Sequence, residues 1–394
     1  MFKHPRKRYR ILSLLLLGFF VGHGQADIVL FDSMLLTHGD FQAQIQPYIV
    51  TSESPVNGPG NQNIATPGTS VLGGVNGVPA AGINHDGIGQ LSITIPTPTS
   101  SSTVLCTGSL LTSGQHILTA AHCLTATNTG TINASAGQIQ FDLPGGVVSF
   151  PFGPADISIH PSYNGVVTDG FDVAVIDLNT ILPASVPRYD IVSPAPFTAP
   201  VLGSRFGFGE GGHGNTGFSV PPTPPLPSTK RFGQNVYEAD GLEAIGVTNP
   251  DTQLTIDFDN GLAANDAFGF FGSMLGEGGA DTGLGAGIEA NSAPGDSGGP
   301  TFVDEGGVLK IGGISSYGVS LSSSGSTPDI GGGIDGGFGE FSVDARLGNQ
   351  SINDFVTATA IPEPTSFLVL SLATLALGYR RRMRMHADMI DSID

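Results

Sequence analysis

Basic residues, cysteine and tryptophan are scarce in this chain of 394 residues. Lysine and arginine number 15 against 34 aspartates and glutamates, two cysteines are present, and tryptophan is absent. The basic residues also cluster at the two ends, so that residues 27–362 carry six of them against thirty acids, a net charge near −24. Phosphate groups would be repelled by such a chain. The composition therefore argues against nucleic acid or an anionic membrane surface as a partner.

The first part of the chain has the features of an export signal. Five basic residues lie within residues 1–10, an apolar run follows over residues 11–21, and residues 24–26 are mostly small. A basic start, a short apolar core and a small-residue exit predict a signal peptide over residues 1–26, cleaved before Asp27. The apolar run is short for a bilayer span, and a retained membrane anchor is the alternative interpretation.

The C-terminal end carries a second sorting pattern. The motif Pro-Glu-Pro at residues 362–364 precedes an apolar stretch over residues 367–379, and four arginines follow within residues 380–384. This arrangement resembles the PEP-CTERM sorting signal of Gram-negative bacteria, here over residues 359–384, in which the arginines hold the apolar stretch at the cytoplasmic face. Residues 385–394 form a short tail beyond the point where such signals usually stop.

Together the two ends predict export. The resemblance implies that signal peptidase and exosortase-type sorting machinery process the chain. It further implies a secreted, cell-surface or extracellular-matrix location in a Gram-negative bacterium. Membrane contact is expected only through the C-terminal segment, as a transient inner-membrane anchor. An ordinary C-terminal anchor is the alternative, and it would also place the middle of the chain outside the cytoplasm.

The middle of the chain, over residues 71–358, lacks long helical periodicity and shows short strand-like runs instead. Examples are residues 90–95, 116–119, 147–150, 172–178 and 310–315. Turns rich in glycine, proline, asparagine and serine separate these runs, which predicts an all-β sandwich or barrel. Residues 27–70 have a weaker pattern, and we interpret them as an N-terminal extension or pro-segment.

The sharpest chemical signal is a serine between glycines, in the motif Gly295-Asp296-Ser297-Gly298-Gly299. A nucleophilic serine needs its hydroxyl on a tight turn, and flanking glycines let backbone N–H groups approach the reacting atoms. We predict that the N–H groups of Gly295 and Ser297 form an oxyanion hole. Taken alone, the same run also fits a plain glycine turn.

A base and a carboxylate complete the predicted site. His122 is the candidate base, because imidazole titrates near the working pH and can activate a serine. Asp172 stands at the head of an apolar strand, where a carboxylate is costly to bury unless it is hydrogen-bonded, and it would fix the imidazole tautomer. Asp169 is the alternative carboxylate. We assign no chemistry to His116 or His160.

The chain order His122, Asp172, Ser297 resembles that of the chymotrypsin/trypsin-like serine proteases. Further motifs similar to those of that family occur in the same order: Cys106-Thr107-Gly108-Ser109-Leu110-Leu111, Ile159-His160-Pro161-Ser162-Tyr163-Asn164, Gly207-Phe208-Gly209, Ile314-Ser315-Ser316-Tyr317-Gly318 and Gly339-Glu340-Phe341-Ser342. Phe208 and Tyr317 stand where the family has tryptophan. The resemblance covers residues 71–358 and implies two six-stranded antiparallel β-barrels with the active site in the cleft between them.

The resemblance also assigns roles to residues around the triad. Cys106 and Cys123 would form a disulfide beside the catalytic histidine, which an exported chain permits. Ser316 would donate a hydrogen bond to Asp172. The backbone of residues 316–318 would pair with the substrate as an added strand.

The specificity pocket is predicted to be uncharged at its base. Asn291 lies six residues before Ser297, where a trypsin-like pocket has aspartate, and Ser292 follows it. Neither side chain offers a charge partner to a basic substrate residue, so we expect cleavage after neutral residues. Asp329 or Asp335, in a long loop further along the chain, could reach in and overturn this preference.

Activation is the point at which the resemblance leaves two alternatives. In the family, a cut after a basic residue frees an amine that pairs with the aspartate before the nucleophile, here Asp296. Val71 begins a segment that resembles such a new terminus, but Ser70 precedes it and no lysine or arginine lies between Arg10 and Arg188. Either a different kind of protease cuts the chain, or Asp296 has another partner and no zymogen step exists.

Taken together, these features predict an exported serine endopeptidase that acts on polypeptide substrates. We expect no cofactor and no metal, and the run Asp257-Phe258-Asp259-Asn260-Gly261 is interpreted as a hairpin turn rather than a calcium loop. Two alternatives stay open. One is a non-catalytic binding protein of the cell surface or extracellular matrix on the same fold, and the other is an esterase with the same triad.

Overall fold

The fold is given by a computed structural model that describes residues 34–38, 41–46, 51–52, 65–68, 70–71, 82–220, 226–272, 275, 283–284 and 289–360. The predicted signal peptide, the sorting segment from residue 361 onward and the C-terminal tail lie outside these residues, as do residues 72–74 of the segment that begins at Val71. Within the described ranges, no helix is both long and apolar enough to cross a membrane.

Strands are the main regular secondary structure of the described chain. In chain order they are β1 (Met34–His38), β2 (Phe41–Gln46), β3 (Thr51–Ser52), β4 (Ser70–Val71), β5 (Ile83–Asn84), β6 (Ile88–Pro96), β7 (Ser101–Leu110), β8 (His116–Thr119), β9 (Ala136–Leu143), β10 (Gly146–Phe152), β11 (Ile157–Ile159), β12 (Ala174–Asp177), β13 (Val201–Gly207), β14 (Gly211–His213), β15 (Gly217–Val220), β16 (Arg231–Tyr237), β17 (Ala239–Asp240), β18 (Gln253–Phe258), β19 (Ala290–Asn291), β20 (Pro300–Glu305), β21 (Val308–Ser323) and β22 (Glu340–Arg346). The α-helices are α1 (Ala267–Phe271) and α2 (Gln350–Ala360). Short 3₁₀ helices cover Ala121–Cys123, Pro154–Asp156, Val167–Asp169, Glu243–Ile245 and Pro250–Thr252.

The first half-barrel is a seven-stranded antiparallel sheet in the order β10-β9-β6-β7-β8-β12-β11. One face of this sheet is buried, as its apolar residues require. Leu91 of β6 lies opposite Ile139 of β9, and both are fully buried in one core cluster with Ile117 and Phe141. Truncating a buried phenylalanine such as Phe141 to alanine costs about 3–5 kcal/mol, so this core is a main source of stability.

The second half-barrel is a nine-stranded antiparallel sheet. Seven strands follow the order β16-β13-β20-β21-β22-β18-β17, and β2 and β1 are added through the pairing of β2 with β21. The central element is β21, which is 16 residues long and pairs with β20, β22 and β2. Its residues Tyr317, Val319 and Leu321 pack against Phe341 and Val343 of β22.

A third group of buried side chains lies in the seam between the two half-barrels. It combines Leu118 and Val175 of the first sheet with Phe206 and Ile314 of the second. The buried apolar residues of α2 pack into the same group. The seam therefore fixes the position of each half-barrel relative to the other.

Two curled antiparallel sheets with few helices confirm the predicted all-β double-barrel fold. The sheets hold seven and nine strands where six each were expected, partly because the hairpin of β1 and β2 joins the second sheet. The disulfide is also confirmed, since Cys106 of β7 is bonded to Cys123 across 17 residues of chain. This bridge ties the 3₁₀ helix that follows β8 to the first sheet.

Several carboxyl groups are buried together at the end of β18. Asp257 accepts hydrogen bonds from the N–H groups of Ala267 and Phe268 at 2.9 and 3.2 Å, so the segment leads into α1 and not into the expected hairpin. Glu289 accepts from the N–H group of Asp259 at 2.9 Å. Burial, reinforced by the nearby charge of Asp259, raises the pKa of Glu289 to about 8.

The stability of the protein is expected to fall as the pH rises from about 5 to 8. In this range Glu289 stays protonated in the folded state, where its pKa is about 8, but ionises in the unfolded chain, where its pKa is near 4.5. Its contribution to the free energy of unfolding is therefore complete below pH 4.5 and is lost as the pH approaches 8. The loss through this one group is on the order of 3 kcal/mol. Glu289→Gln should make the free energy of unfolding in urea less dependent on pH.

The matched control for this measurement is Glu243→Gln, because Glu243 is exposed. That variant should keep the pH dependence of the wild-type protein. An unchanged pH dependence in Glu289→Gln would contradict the prediction.

Candidate active site

His122 lies just after β8, within the 3₁₀ helix Ala121–Cys123. Ala120 and Ala121 are fully buried, so this short helix packs directly on the first sheet. Cys123 anchors the end of the helix through the disulfide. His122 is 5% exposed. The packing of the short helix and the disulfide of Cys123 therefore hold its imidazole in place.

Asp172 lies just before β12, and its carboxylate is buried but fully hydrogen-bonded. Its Oδ1 accepts from the backbone N–H of His122 at 2.8 Å, and its Oδ2 lies 2.7 Å from Nδ1 of the same residue. The hydroxyl of Ser316 donates to Oδ2 at 2.5 Å. These bonds stabilise a charge that would be costly to bury alone.

Ser297 lies in the turn between β19 and β20, and its Oγ is 2.6 Å from Nε2 of His122. The turn contacts both half-barrels. The N–H of Thr107 donates to the carbonyl of Ser297 at 2.8 Å, and the N–H of Gly298 donates to the carbonyl of Ser315 at 2.9 Å. A continuous chain of hydrogen bonds thus runs from the serine hydroxyl through the imidazole to the buried carboxylate.

The two predicted oxyanion-hole donors lie in the same turn. Gly295 has a φ of 106°, a backbone conformation that glycine adopts without strain. Within the described part of the chain, the N–H groups of Gly295 and Ser297 have no protein acceptor, whereas those of Gly298 and Gly299 donate to backbone carbonyls. Two unused N–H donors beside a serine hydroxyl suit an oxygen that becomes negative during acyl transfer.

Asp296 is fully buried beside Ser297, and one of its oxygens has no partner among the residues that the structure describes. The N–H of Gly209 donates to Oδ1, but Oδ2 has no hydrogen-bond partner among the described residues. Burial raises the pKa of Asp296 well above its usual range, against the opposing effects of Gly209, Arg231 and Arg205. Arg231 also donates to the carbonyl of Gly209 at 2.8 Å, so it holds the residue whose N–H contacts Asp296.

The predicted pocket residues are buried and hydrogen-bonded. Asn291 accepts from the Ser342 hydroxyl at 2.5 Å, and its amide nitrogen lies 3.4 Å from Oε2 of Glu340. Ser292 accepts from the guanidinium of Arg205 at 2.8 Å. Sequence reasoning missed Glu340 and Arg205 as site residues, because they lie on β22 and β13, far along the chain from the nucleophile motif.

Glu340 places a carboxylate next to the pocket residue Asn291. Its Oε1 accepts from the N–H groups of Asp335 and Gly336 at 2.7 and 2.8 Å, which offset its charge. Carboxylate oxygens of Asp329, Asp335 and Glu340 lie within 4.8 Å of one another, and burial raises the pKa of Glu340 well above its usual range. The pocket therefore has an acidic neighbour, supplied by Glu340 and the loop that carries the two aspartates.

Ser316, Tyr317 and Gly318 lie on β21, as strand residues near the triad. The pairing of β21 with β22 shifts register between Ser315 and Tyr317, and a shift of this kind re-aims a side chain. Here it accompanies the hydrogen bond from Ser316 to the buried carboxylate. The Tyr317 side chain is 1% exposed and donates to Gln253 at 2.5 Å, so its backbone is the part that can face a ligand.

Two curled antiparallel sheets with a serine, a histidine and an aspartate at their seam are the architecture of chymotrypsin-like serine proteases. Comparison with known families agrees with this class, because residues 75–222 match the family model described as Trypsin. The matched range includes His122 and Asp172 and ends before Ser297. No curated protein matches the chain. The match supports a trypsin-like serine protease domain in this chain.

Gly298→Ala is expected to lower the free energy of unfolding by more than about 3 kcal/mol, because two effects add. Gly298 has a φ of 81°, and a Cβ there would lie 2.1 Å from Oγ1 of Thr119 and 2.6 Å from backbone atoms. Gly306→Ala is the matched control: Gly306 has a φ of 66° but open space around it, so about 1–2 kcal/mol is expected. Urea unfolding measures both. Equal losses in the two variants would show that the close approach of the turn to the first sheet is not a constraint.

Proposed function

We propose that the protein is an exported serine endopeptidase that cleaves peptide bonds through Ser297, His122 and Asp172. The observation that carries the proposal is the chain of hydrogen bonds in which Oγ, the two ring nitrogens and Oδ2 are linked at 2.6 and 2.7 Å. A serine hydroxyl alone is a poor nucleophile. This arrangement supplies a base for its proton and a carboxylate for the imidazolium that results.

The first half of the reaction forms an ester between the substrate and Ser297. Its Oγ attacks the carbonyl carbon of the scissile bond while Nε2 of His122 takes the hydroxyl proton. The N–H groups of Gly295 and Ser297 stabilise the negative oxygen of the tetrahedral intermediate. The C–N bond then breaks, and His122 gives its proton to the departing amine.

The second half of the reaction hydrolyses that ester. His122 takes a proton from water, whose oxygen attacks the ester carbonyl, and the bond to Ser297 breaks as the proton returns to Oγ. Asp172 accepts the hydrogen bond of the ring through Oδ2 and so keeps the proton of the neutral imidazole on Nδ1. Ser316 and the backbone N–H of His122 hold Asp172 in this role.

A neutral residue before the scissile bond is the substrate preference we propose. Asn291 carries no charge, and its amide is already engaged by Ser342 and Glu340. A basic residue is the second candidate, and the carboxylate of Glu340 beside Asn291 is the observation that favours it. Burial raises the pKa of Glu340 well above its usual range, so this group offers little negative charge to a substrate cation, and neutral residues are preferred.

The ends of the chain supply the rest of the proposal. The signal-peptide pattern over residues 1–26 and the PEP-CTERM-like pattern over residues 359–384 support export of a protease domain over residues 71–358. Signal peptidase and exosortase-type sorting machinery would be the processing partners, and polypeptides outside the cytoplasm the substrates. An esterase and a non-catalytic binding protein are the alternatives that activity measurements decide.

Asp172→Asn is expected to lower kcat on the order of 10⁴-fold with little change in KM, because an amide at this position favours the wrong imidazole tautomer. Ser297→Ala should abolish both peptide hydrolysis and labelling by a fluorophosphonate probe. Steady-state kinetics on a peptide amide and mass-spectrometric mapping of the labelled residue measure these effects.

The matched control is Asp169→Asn, which changes the alternative carboxylate. Asp169 accepts from Asn164 at 2.7 Å and from Thr248 at 3.1 Å, so its loss should leave kcat within about threefold of the wild-type value. Equal inactivation by Asp169→Asn would overturn the assignment of Asp172. Cleavage of simple esters without any cleavage of peptide amides would favour the esterase alternative.

Cleavage of a mixed peptide library should occur after neutral residues. Cleavage after lysine or arginine would contradict this preference. If Glu340→Gln then lowered that cleavage by more than about tenfold, a preference for basic residues would be established. Asp304→Asn is the control, because Asp304 is an exposed carboxylate on β20. Mass spectrometry of the products identifies the residue before each cut bond.

A further inference from the structure

The strand β21 has one edge that is only partly covered near the triad. On one side it pairs with β22 from Gly313 to Val319. On the other side it pairs with β20 up to Ile314 and then with β2 from Gly318 onward. The stretch between these two partners contains Ser316, whose hydroxyl contacts the buried carboxylate of the triad.

The strand β2 covers part of the edge that a substrate would use. Gly318 lies opposite Ser342 of β22 on one side and opposite Gln46 of β2 on the other, so β2 lies along the edge on which a substrate strand would be added. The strand is antiparallel, with Phe41 opposite Ser323 and Gln46 opposite Gly318, so its chain direction runs toward Ser316. This is the direction in which a peptide added to this edge in antiparallel register would approach the triad.

The chain then reaches a second residue of the predicted substrate site. Four residues separate Gln46 from β3, which pairs with β19 and places Thr51 opposite Asn291 and Ser52 opposite Ala290. The N-terminal segment therefore pairs at two places with strands that carry predicted substrate-binding residues. β2 pairs with the strand of Gly318, and β3 pairs with the strand of Asn291.

The hairpin of β1 and β2 also forms a wall of the groove beside the catalytic base. This groove is lined by Met34 and Ile45 of the hairpin together with His122, Tyr163 and Val167. Ile45 is 1% exposed and packs in the core cluster that contains residues of β21. Both the backbone edge and the apolar groove next to the triad are thus in contact with the same N-terminal segment.

We infer that the segment carrying β1, β2 and β3 is an intramolecular inhibitor, in which β2 occupies the peptide-binding edge of β21 in the orientation of a substrate. The inference rests on the proposed peptidase function. A peptide gains affinity for a strand edge through backbone hydrogen bonds. Because this segment is covalently connected to the domain, its effective concentration at the edge is in the millimolar range, and a free substrate competes poorly with it. Cleavage of other polypeptides requires that the segment be displaced or removed.

The occupant also indicates what kind of substrate extension fits this edge. In β2, glutamines alternate with Phe41, Ala43 and Ile45, and the latter two are 1% exposed. A substrate that replaces β2 would therefore place small or branched apolar side chains at alternate positions upstream of the cut bond, with polar ones between them.

The experiment uses the chain from residue 27 to residue 360 with a foreign protease site inserted between Gly60 and Asn61. After folding, the site is cut and the N-terminal fragment is separated. Removal of the fragment should raise kcat/KM for an extended peptide by about tenfold or more. Labelling of Ser297 by a small fluorophosphonate should take place before and after the cut. A synthetic peptide of residues 34–52 should then inhibit competitively, and a scrambled peptide should not.

A pair of substitutions tests the same inference without cutting the chain. Ile45→Asp places a charge at a buried position of the hairpin, which should weaken its binding and raise kcat/KM of the intact protein. Leu35→Asp is the matched control, because Leu35 of the same hairpin is 62% exposed; it should have no effect.

The possible outcomes separate the inference from the proposed function. Absence of Ser297 labelling in both the cut and the uncut protein would contradict the peptidase proposal itself. Normal labelling, with unchanged or reduced kcat/KM after removal of the fragment and in Ile45→Asp, would show that the hairpin is a permanent part of the groove and that the inference is wrong.

Discussion

The buried carboxylate of Asp172 is the interaction on which the site depends. It accepts hydrogen bonds from the backbone and ring of His122 in the first half-barrel and from Ser316 in the second. A carboxylate without these donors would be costly to keep in the seam, so its burial favours one arrangement of the two sheets. The register shift of β21 beside Ser316 and the disulfide beside His122 both serve this arrangement, because each fixes one of the donors.

Much of this arrangement could be predicted from local sequence. The serine turn needs glycines beside it, and the alternating apolar runs of an antiparallel sheet are visible without any tertiary information. The contact between Ser316 and Asp172 was available only through the resemblance to a family, since nothing in the residues themselves relates two positions so far apart. The two half-barrels were predicted for the same reason, although they hold seven and nine strands and not the six each that were expected.

The remaining site residues depend on pairings between distant segments. Arg205 meets Ser292 across 87 residues, and Glu340 meets Asn291 across 49, so no local pattern marks either pair. Two strands, β14 and β15, lie within a stretch rich in glycine. Such a stretch has no alternation of apolar and polar side chains from which a strand could be predicted. We grouped the residues of β2 with a weakly patterned extension. They form a strand because they pair with the edge of β21, and their own composition does not predict one.

The backbone hydrogen bond between Thr107 and Ser297 has a consequence for how the proposed activity would be lost. It joins Ser297, the proposed nucleophile of the second half-barrel, to a strand of the half-barrel that carries His122. A rigid swing of one half-barrel against the other would have to break this bond before it separated the reacting atoms. Gradual loosening between the halves is therefore resisted, and heat inactivation should coincide with cooperative melting of the whole fold, so that residual activity becomes a direct reporter of the folded fraction.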